Sequence, residues 1–406
     1  MKVPTISILL MLMLIGSIPF LTLETGSARV QSINFAVIFA AGGLGDMAYN
    51  DAAWRGMELA ESKFGSDISI DYVEPETIPE FATFQNDLAA EGKYDLIICI
   101  GFLQTNALNE TARSFPNQKF VLIDDILDLP NVQSITFKEH EGSFLVGAMA
   151  AMTTNTNKLG FLGGLDIYLI NKYRAGYEQG AHYINSTVEV TSVYSPDPTN
   201  PWGDIAGGKA VGETLFSQGI DIVYAAAGGT GLGIYEAADE GTDVMAIGVD
   251  FDKDYLYPGT ILCSMLKKVE TAVFTSIDTK MLGTWNASLS QLGIAEDGVG
   301  ISGMYTTTSI RDGFFEFNGE TKTRGEWIEW IKCQISMGTI YVYDVGSIPW
   351  TTTPIPCNTS SSMTSWYPYT TTPSSTTTVI PQLTHSWALI VLILSLGFVV
   401  ILKRKN

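Results

Sequence analysis

The sequence predicts an α/β fold made of two similar lobes that face each other across a cleft, and three observations carry that reading. Apolar runs of strand length alternate with helical periodicity from Ile33 onward, the pattern of a parallel sheet covered on both faces. The first run ends in a glycine-rich turn, Gly42-Gly43-Leu44-Gly45-Asp46, that opens into a helix; open α/β sheets place ligands at such carboxyl-terminal turns. After Glu139 the whole alternation begins again at similar length.

Taken in order, Ile33 to Phe39 reads as a buried strand, and Ala53, Gly56, Met57, Ala60 and Phe64 line one face of the next helix. Between them Asp46, Tyr49 and Asn50 offer a carboxylate, an aromatic face and an amide. Asn50 or Asp51 could equally cap the helix, with Tyr49 packed on it as a staple. Ile68 to Val73 alternates as a strand, Phe81 to Glu91 is helical, and Tyr94 to Phe102 is a third strand. Gln104 to Phe115 is helical, and Lys119 to Asp125 is a fourth strand ending on two carboxylates. Adjacent residues leaving a strand point to opposite sides, so Asp124 and Asp125 are not expected to work as a pair, and one of them is a cap or a surface charge. In the second unit, Glu139 to Met152 is helical, Lys158 to Gly164 runs as a strand into a turn, and Tyr168 to Ile184 is helical. Val188 to Tyr194 is a strand, Asp204 to Ser217 a helix, and Ile220 to Ala227 a strand that enters Gly228-Gly229-Thr230-Gly231-Leu232-Gly233. Val244 to Val249 then ends on Asp250.

Composition and motif spacing exclude several classes of function. The formal charge of −20 over 406 residues leaves no basic stripe for nucleic acid. The three histidines, His140, His182 and His385, are not spaced as metal ligands, so neither a metal nor another cofactor is expected. The glycine segments match neither the dinucleotide fingerprint nor the phosphate-binding loop with its Lys-Ser/Thr. Carboxylates at Asp46, Asp124 and Asp250 would repel a phosphate, whereas each can accept hydrogen bonds from a neutral polyhydroxyl ligand. Cys99 and Cys263 fall inside apolar strands and read as buried thiols, while Cys333 and Cys357 are candidates for a disulfide outside the cell.

The two ends add targeting. Residues 1–28 read as a removed signal peptide, apolar and ending in Gly26-Ser27-Ala28, with no cysteine after the apolar run to carry a lipid. Residues 347–385 form a stalk rich in Thr, Ser and Pro, and 386–402 an apolar run of ~25 Å as a helix, read as a single membrane span. Lys403-Arg404-Lys405 in the tail, 403–406, orients everything before the span to the extracytoplasmic side. Sequons at Asn109, Asn185, Asn286 and Asn358 fit an exported glycoprotein.

Several stretches then resemble one family: GGLGDMAYNDAAWRGM, DLIICIGF, FPNQKFVLIDD, FKEHEGSFLVGAMAAM, KLGFLGGLDIYLINKYRAGYEQGA, AAAGGTGLGIYEAA, AIGVDFD and SMLKKVETAVF. In this order they are similar to the basic membrane protein family, the PnrA-like substrate-binding proteins of ABC transporters, whose characterised members include purine-nucleoside binders. The resemblance implies a type I periplasmic-binding-protein fold of two Rossmann-like lobes. It also implies residues 33–138 as the first part of lobe 1, 139–250 as lobe 2, and 251–346 as crossover strands, the return to lobe 1 and a C-terminal helix. For the site it implies Tyr49 and Trp202 as rings that sandwich a planar base, with Asn50 beside Tyr49. Asp250 becomes the acid for sugar hydroxyls, Asp124 the strand-end acid, Gly229 a backbone contact, Lys267 the basic ligand residue, and Asp46 a motif acid. Ala40 stands where family members often carry aspartate. The function implied is a membrane-tethered, monomeric solute receptor that delivers a nucleoside to an ABC permease, without enzymatic activity. A sensor of another small polar molecule is the alternative. A surface nucleoside hydrolase would need a metal-binding carboxylate cluster or a histidine acid that the chain does not display.

Overall fold

The computed structural model describes residues 32–345; the leader, the stalk, the apolar run with its tail, and Cys357 lie outside the described residues. From Ile33 the chain alternates β1 (Ile33–Ile38), α1 (Tyr49–Phe64), β2 (Ile68–Val73), α2 (Ile78–Glu91), β3 (Leu96–Ile100), α3 (Thr105–Ser114), β4 (Phe120–Ile123) and β5 (Val132–Phe137). The long helix α4 (Glu139–Thr153) leads to β6 (Lys158–Gly163), α5 (Tyr168–Ile184), β7 (Glu189–Tyr194), α6 (Ile205–Ser217), β8 (Ile222–Ala226), α7 (Thr230–Glu240), β9 (Met245–Asp250) and β10 (Ile261–Lys267). Then follow α8 (Val269–Met281), β11 (Leu289–Leu292), β12 (Val299–Ile301), α9 (Thr308–Arg311), the hairpin β13 (Phe314–Phe317) and β14 (Glu320–Thr323), and α10 (Arg324–Ser336).

These strands form two six-stranded sheets, β11-β5-β4-β3-β1-β2 and β12-β10-β9-β8-β6-β7. The first is parallel throughout, and in the second only β12 runs antiparallel, against β10. Leu96 to Ile100 shows why the sheets need cover on both faces: every side chain of β3 is buried. The strand order reverses at β1 in one sheet and at β6 in the other, so the turns that leave these strands open into crevices at the carboxyl edges.

Three passages of chain join the sheets, through α4, through α8, and between β11 and β12. Helix α4 is buried from Gly142 to Met152 on every face, with Glu139 and His140 buried in its first turn and Glu141 partly exposed, and each of its Phe, Leu, Val and Met side chains contributes about 1.5–3 kcal/mol of burial. It packs backbone to backbone on α5: a Cβ at Gly180 would lie 2.0 Å from the Phe144 carbonyl oxygen. Cys99 and Cys263 are buried free thiols inside β3 and β10, and Cys333 in α10 is disulfide-bonded. Among the described residues no helix is long and apolar enough to cross a membrane.

Candidate functional site

The turn from β1 into α1 is held open from inside by two carboxylates. Gly42, Gly43 and Gly45 take φ of 106°, 64° and 88°, and Met47 takes 45°. Asp51 accepts the Gly45 and Met47 N–H groups at 2.8 and 2.9 Å, and Asp46 accepts those of Ala48, Asn50 and Asp51 at 2.8, 2.9 and 3.2 Å. Asp46 therefore satisfies the orphan donors at the start of α1. Burial still raises its pKa above the ordinary carboxylate value, against the pull of those bonds. The Asn50 amide is committed to the main chain of Ala40, accepting from its N–H at 2.9 Å and donating to its carbonyl at 3.4 Å. The ring of Tyr49 lies against Gly101 at the end of β3, and its hydroxyl is buried beside Asp124. Burial, and then the Asp124 charge, push that hydroxyl well above its usual pKa.

Asp124, just past β4 and in the left-handed region at φ 78°, begins a chain of buried charges. One of its oxygens accepts a hydrogen bond from Lys267 Nζ at 2.7 Å; the same ammonium lies 3.0 Å from Glu139, whose other oxygen pairs with Lys172. None of these four side chains is more than 6% exposed. Alternation of acid and base offsets the desolvation of each. Burial alone would raise the Glu139 carboxyl, but Lys267 and Lys172 outweigh it and hold the group below the ordinary range. Burial likewise favours neutral Lys267, yet Asp124, Glu139 and Tyr49 hold it protonated and above its usual value. The chain of charges joins the carboxyl ends of β4 and β10, strands of different sheets, through the first turn of α4. Lys267 is thus a buried strand residue, with its ammonium 5.2 Å from the Tyr49 ring centroid.

Asp250 ends β9 at φ 71°, 8% exposed. Burial pushes its carboxyl up to about 6; Lys253 and Lys267 pull it down, and Asp46 and Asp124 add to the rise. Lys253, buried beside it, is brought down to about 8 by burial, and its Nζ donates to the Met47 carbonyl of the β1–α1 turn. The structure therefore gathers Asp46, Tyr49, Asp124, Asp250 and Lys267 from the two sheets into one largely buried cluster. Trp202 and Gly229 form a second group, at the ends of β6 and β8. The indole covers Gly164, where a Cβ would fall 2.0 Å from a ring carbon, and the Trp202 carbonyl accepts from Thr230 N–H at 3.3 Å. A Cβ on Gly229 would stand 2.9 Å from that carbonyl, and Thr230 Oγ1 donates to Pro201 at 3.0 Å, so the Trp202 loop is fastened to the start of α7.

Glu139, Lys172 and Lys253 escape a reading of the sequence. Each sits among other charged or polar residues in the sequence, Glu139 between Lys138 and His140, Lys172 after Asn171 and Lys253 between Asp252 and Asp254, so nothing local marks their burial, which the fold imposes. Asp125, the partner of Asp124 in sequence, turns to Thr105, which donates to it at 2.6 Å. Among the described residues no group of three or more His, Cys, Asp or Glu side chains is placed to hold a metal ion.

Comparison with known proteins adds the following. Residues 33–327 match the profile of the family described as ABC transporter substrate-binding protein PnrA-like. An uncharacterized lipoprotein of Pyrococcus horikoshii is 32% identical over 280 residues, 66% of this chain and 69% of its own. The ABC transporter nucleoside-binding protein BmpA of Lactococcus lactis is 29% identical over 307 residues, 70% of this chain and 86% of its own. The crystal structure of an ABC transporter solute-binding protein from Aeropyrum pernix superimposes with a TM-score of 0.69 at 28% identity, covering 78% of this chain and 94% of that one.

Proposed function

The chain belongs to the Bmp family of PnrA-like ABC transporter substrate-binding proteins, and from that premise we propose that it is an extracytoplasmic receptor for a nucleoside, most readily a purine nucleoside. The observation that carries the reading is the convergence of Asp46, Tyr49, Asp124, Asp250 and Lys267 on one cluster between the two sheets. In the proposed complex Asp250 accepts the sugar hydroxyls, each such charged hydrogen bond contributing about 1.5–3 kcal/mol. Tyr49 and Trp202 stack on the base, which adds about 0.5–1.5 kcal/mol per ring pair beyond burial. A few such contacts suffice for submicromolar affinity once the lobes close. Asp124, Gly229 and Lys267 complete the proposed contacts, with Asp46 holding the turn and Asn50, whose amide is committed to Ala40, placing Tyr49 beside it. The name of the Lactococcus relative supports a nucleoside rather than a sugar.

The receptor is proposed to act as a monomer, to pass its ligand to a membrane permease, and to be tethered by residues 386–402, with the sequons glycosylated on the outer side. Anchoring near the permease raises the effective concentration of loaded receptor. Calorimetry of the full-length chain against guanosine, inosine, adenosine, free bases and sugars tests the ligand, with Asp250→Asn as the control that is expected to abolish the signal. Release of free base from guanosine by the wild-type chain would instead make the protein an enzyme.

A further inference from the structure

The β1–α1 turn and the segment after β9 leave different sheets, yet two contacts join them directly. Lys253 is 2% exposed, and its ammonium donates to the Met47 carbonyl, 206 residues away in the chain. The same ammonium lies 3.5 Å from the centroid of the Phe251 ring, and the Arg55 guanidinium of α1 lies 4.2 Å from that centroid. Phe251 of one lobe is thus held by a cation from its own lobe and by one from the opposite lobe. Both ends of the Lys253 contact are fixed before they meet. Lys253 N–H donates to Ser264 Oγ at 3.0 Å, and Met47 is held in its left-handed conformation by its N–H bond to Asp51 at 2.9 Å. The charged groups facing the ammonium are Asp250 on β9, Asp46 in the opposite turn, and Asp51 and Arg55 on α1.

A buried ammonium is costly unless its hydrogen bonds and counter-charges are present, and here the partners come from both lobes. Separating the lobes would remove the Met47 carbonyl and two of the three facing acids together. Closing them returns the Asp46–Asn50 turn and Asp250 to one relative position. We propose that Lys253 is a positioning residue for ligand binding: by clasping Met47 from the opposite sheet it sets the register in which the two halves of the site meet. Its effect on ligand kinetics rests on the nucleoside reading above; its effect on lobe separation does not.

Two measurements on the full-length chain separate these. Fluorescent labels at Glu110→Cys and Ser217→Cys, exposed positions that lie one in each lobe, report lobe separation by energy transfer. Stopped-flow binding of guanosine reports the rates. Without ligand, Lys253→Met is expected to lower the transfer efficiency. With guanosine it is expected to speed dissociation about tenfold while association stays within about twofold, because a closed-state contact acts on the off-rate. Lys253→Arg, which keeps a cationic donor, restores most of the effect. Arg55→Met removes only the half-buried partner of Phe251 and moves both readouts in the same direction by less, which keeps the test available if Lys253→Met folds poorly. Unchanged transfer efficiency and an unchanged dissociation rate in Lys253→Met and Arg55→Met would overturn the proposal. Lower transfer efficiency in a protein that binds no nucleoside would uphold the clasp and remove the nucleoside reading alone.

Discussion

At the end of β9 the Asp250 carboxyl titrates near 6, above the ordinary 3.8, because burial outweighs Lys253 and Lys267. Between these values the folded chain holds a proton that the unfolded chain has released, so this group makes stability fall as pH rises through the window. Asp250→Asn removes that dependence. Relative to wild type, the variant is expected to gain about 2 kcal/mol more in urea unfolding at about pH 7 than at about pH 4. A variant-to-wild-type difference that is the same at both pH values would contradict this. Ligand binding carries the opposite sign, since only the ionised carboxylate accepts two hydroxyl bonds; guanosine affinity is expected to decline below about pH 6. Lys267 has a different signature. Its removal leaves Asp124 and Glu139 buried without their shared cation, so Lys267→Met is expected to cost about 3–5 kcal/mol of stability in addition to binding. Loss of binding with stability intact would show that the ion pairs with Asp124 and Glu139 carry little weight.

Helices α4 and α5 approach so closely that their glycines are packing surfaces. Gly180→Ala would drive a methyl onto the Phe144 carbonyl, and an expected loss of about 1–3 kcal/mol is measurable as a lower urea midpoint. The same pair shows what a sequence reading captures and what it misses. The buried parallel strands are legible because continuous apolar runs have few other uses, and the strand-end acids Asp124 and Asp250 are legible because topology fixes where strands end. Strand β5 is not, since Gln133, Ser134 and Thr136 break the apolar run in a strand paired on both sides. Strand β12 is only Val299–Ile301 and exists because β10 offers an antiparallel edge. In the site, the cap of α1 is Asp46 and not Asn50 or Asp51, because the turn folds back so that Asp51 ties Gly45 and Met47 and Asn50 ties Ala40. Lys267 is legible only through the family resemblance, because its acid Asp124 lies 143 residues away. Lys253 and Glu139 depend wholly on tertiary contacts of that kind.

Two sheets joined by three passages of chain are the arrangement about which, in the proposed function, the lobes turn to close on a ligand. Glu139 and Lys267 stand where two of those passages begin and pair with Lys172 and Asp124, so this chain of charges binds the two sheets together while Asp124 and Lys267 also belong to the proposed site. Removal of residues 386–406 is expected to shift the protein from the membrane fraction to the soluble fraction without changing its affinity for ligand. Retention in the membrane would move the anchor elsewhere. The central claim, that the interlobe cluster is a nucleoside site, is tested most directly by calorimetric titration of refolded full-length chain with guanosine, inosine and adenosine, in wild type and in Asp250→Asn. The account expects one-to-one binding in the submicromolar range for at least one purine nucleoside, and none in the variant. Heat from sugars or other solutes with none from any nucleoside, or equal nucleoside binding by Asp250→Asn, would contradict it.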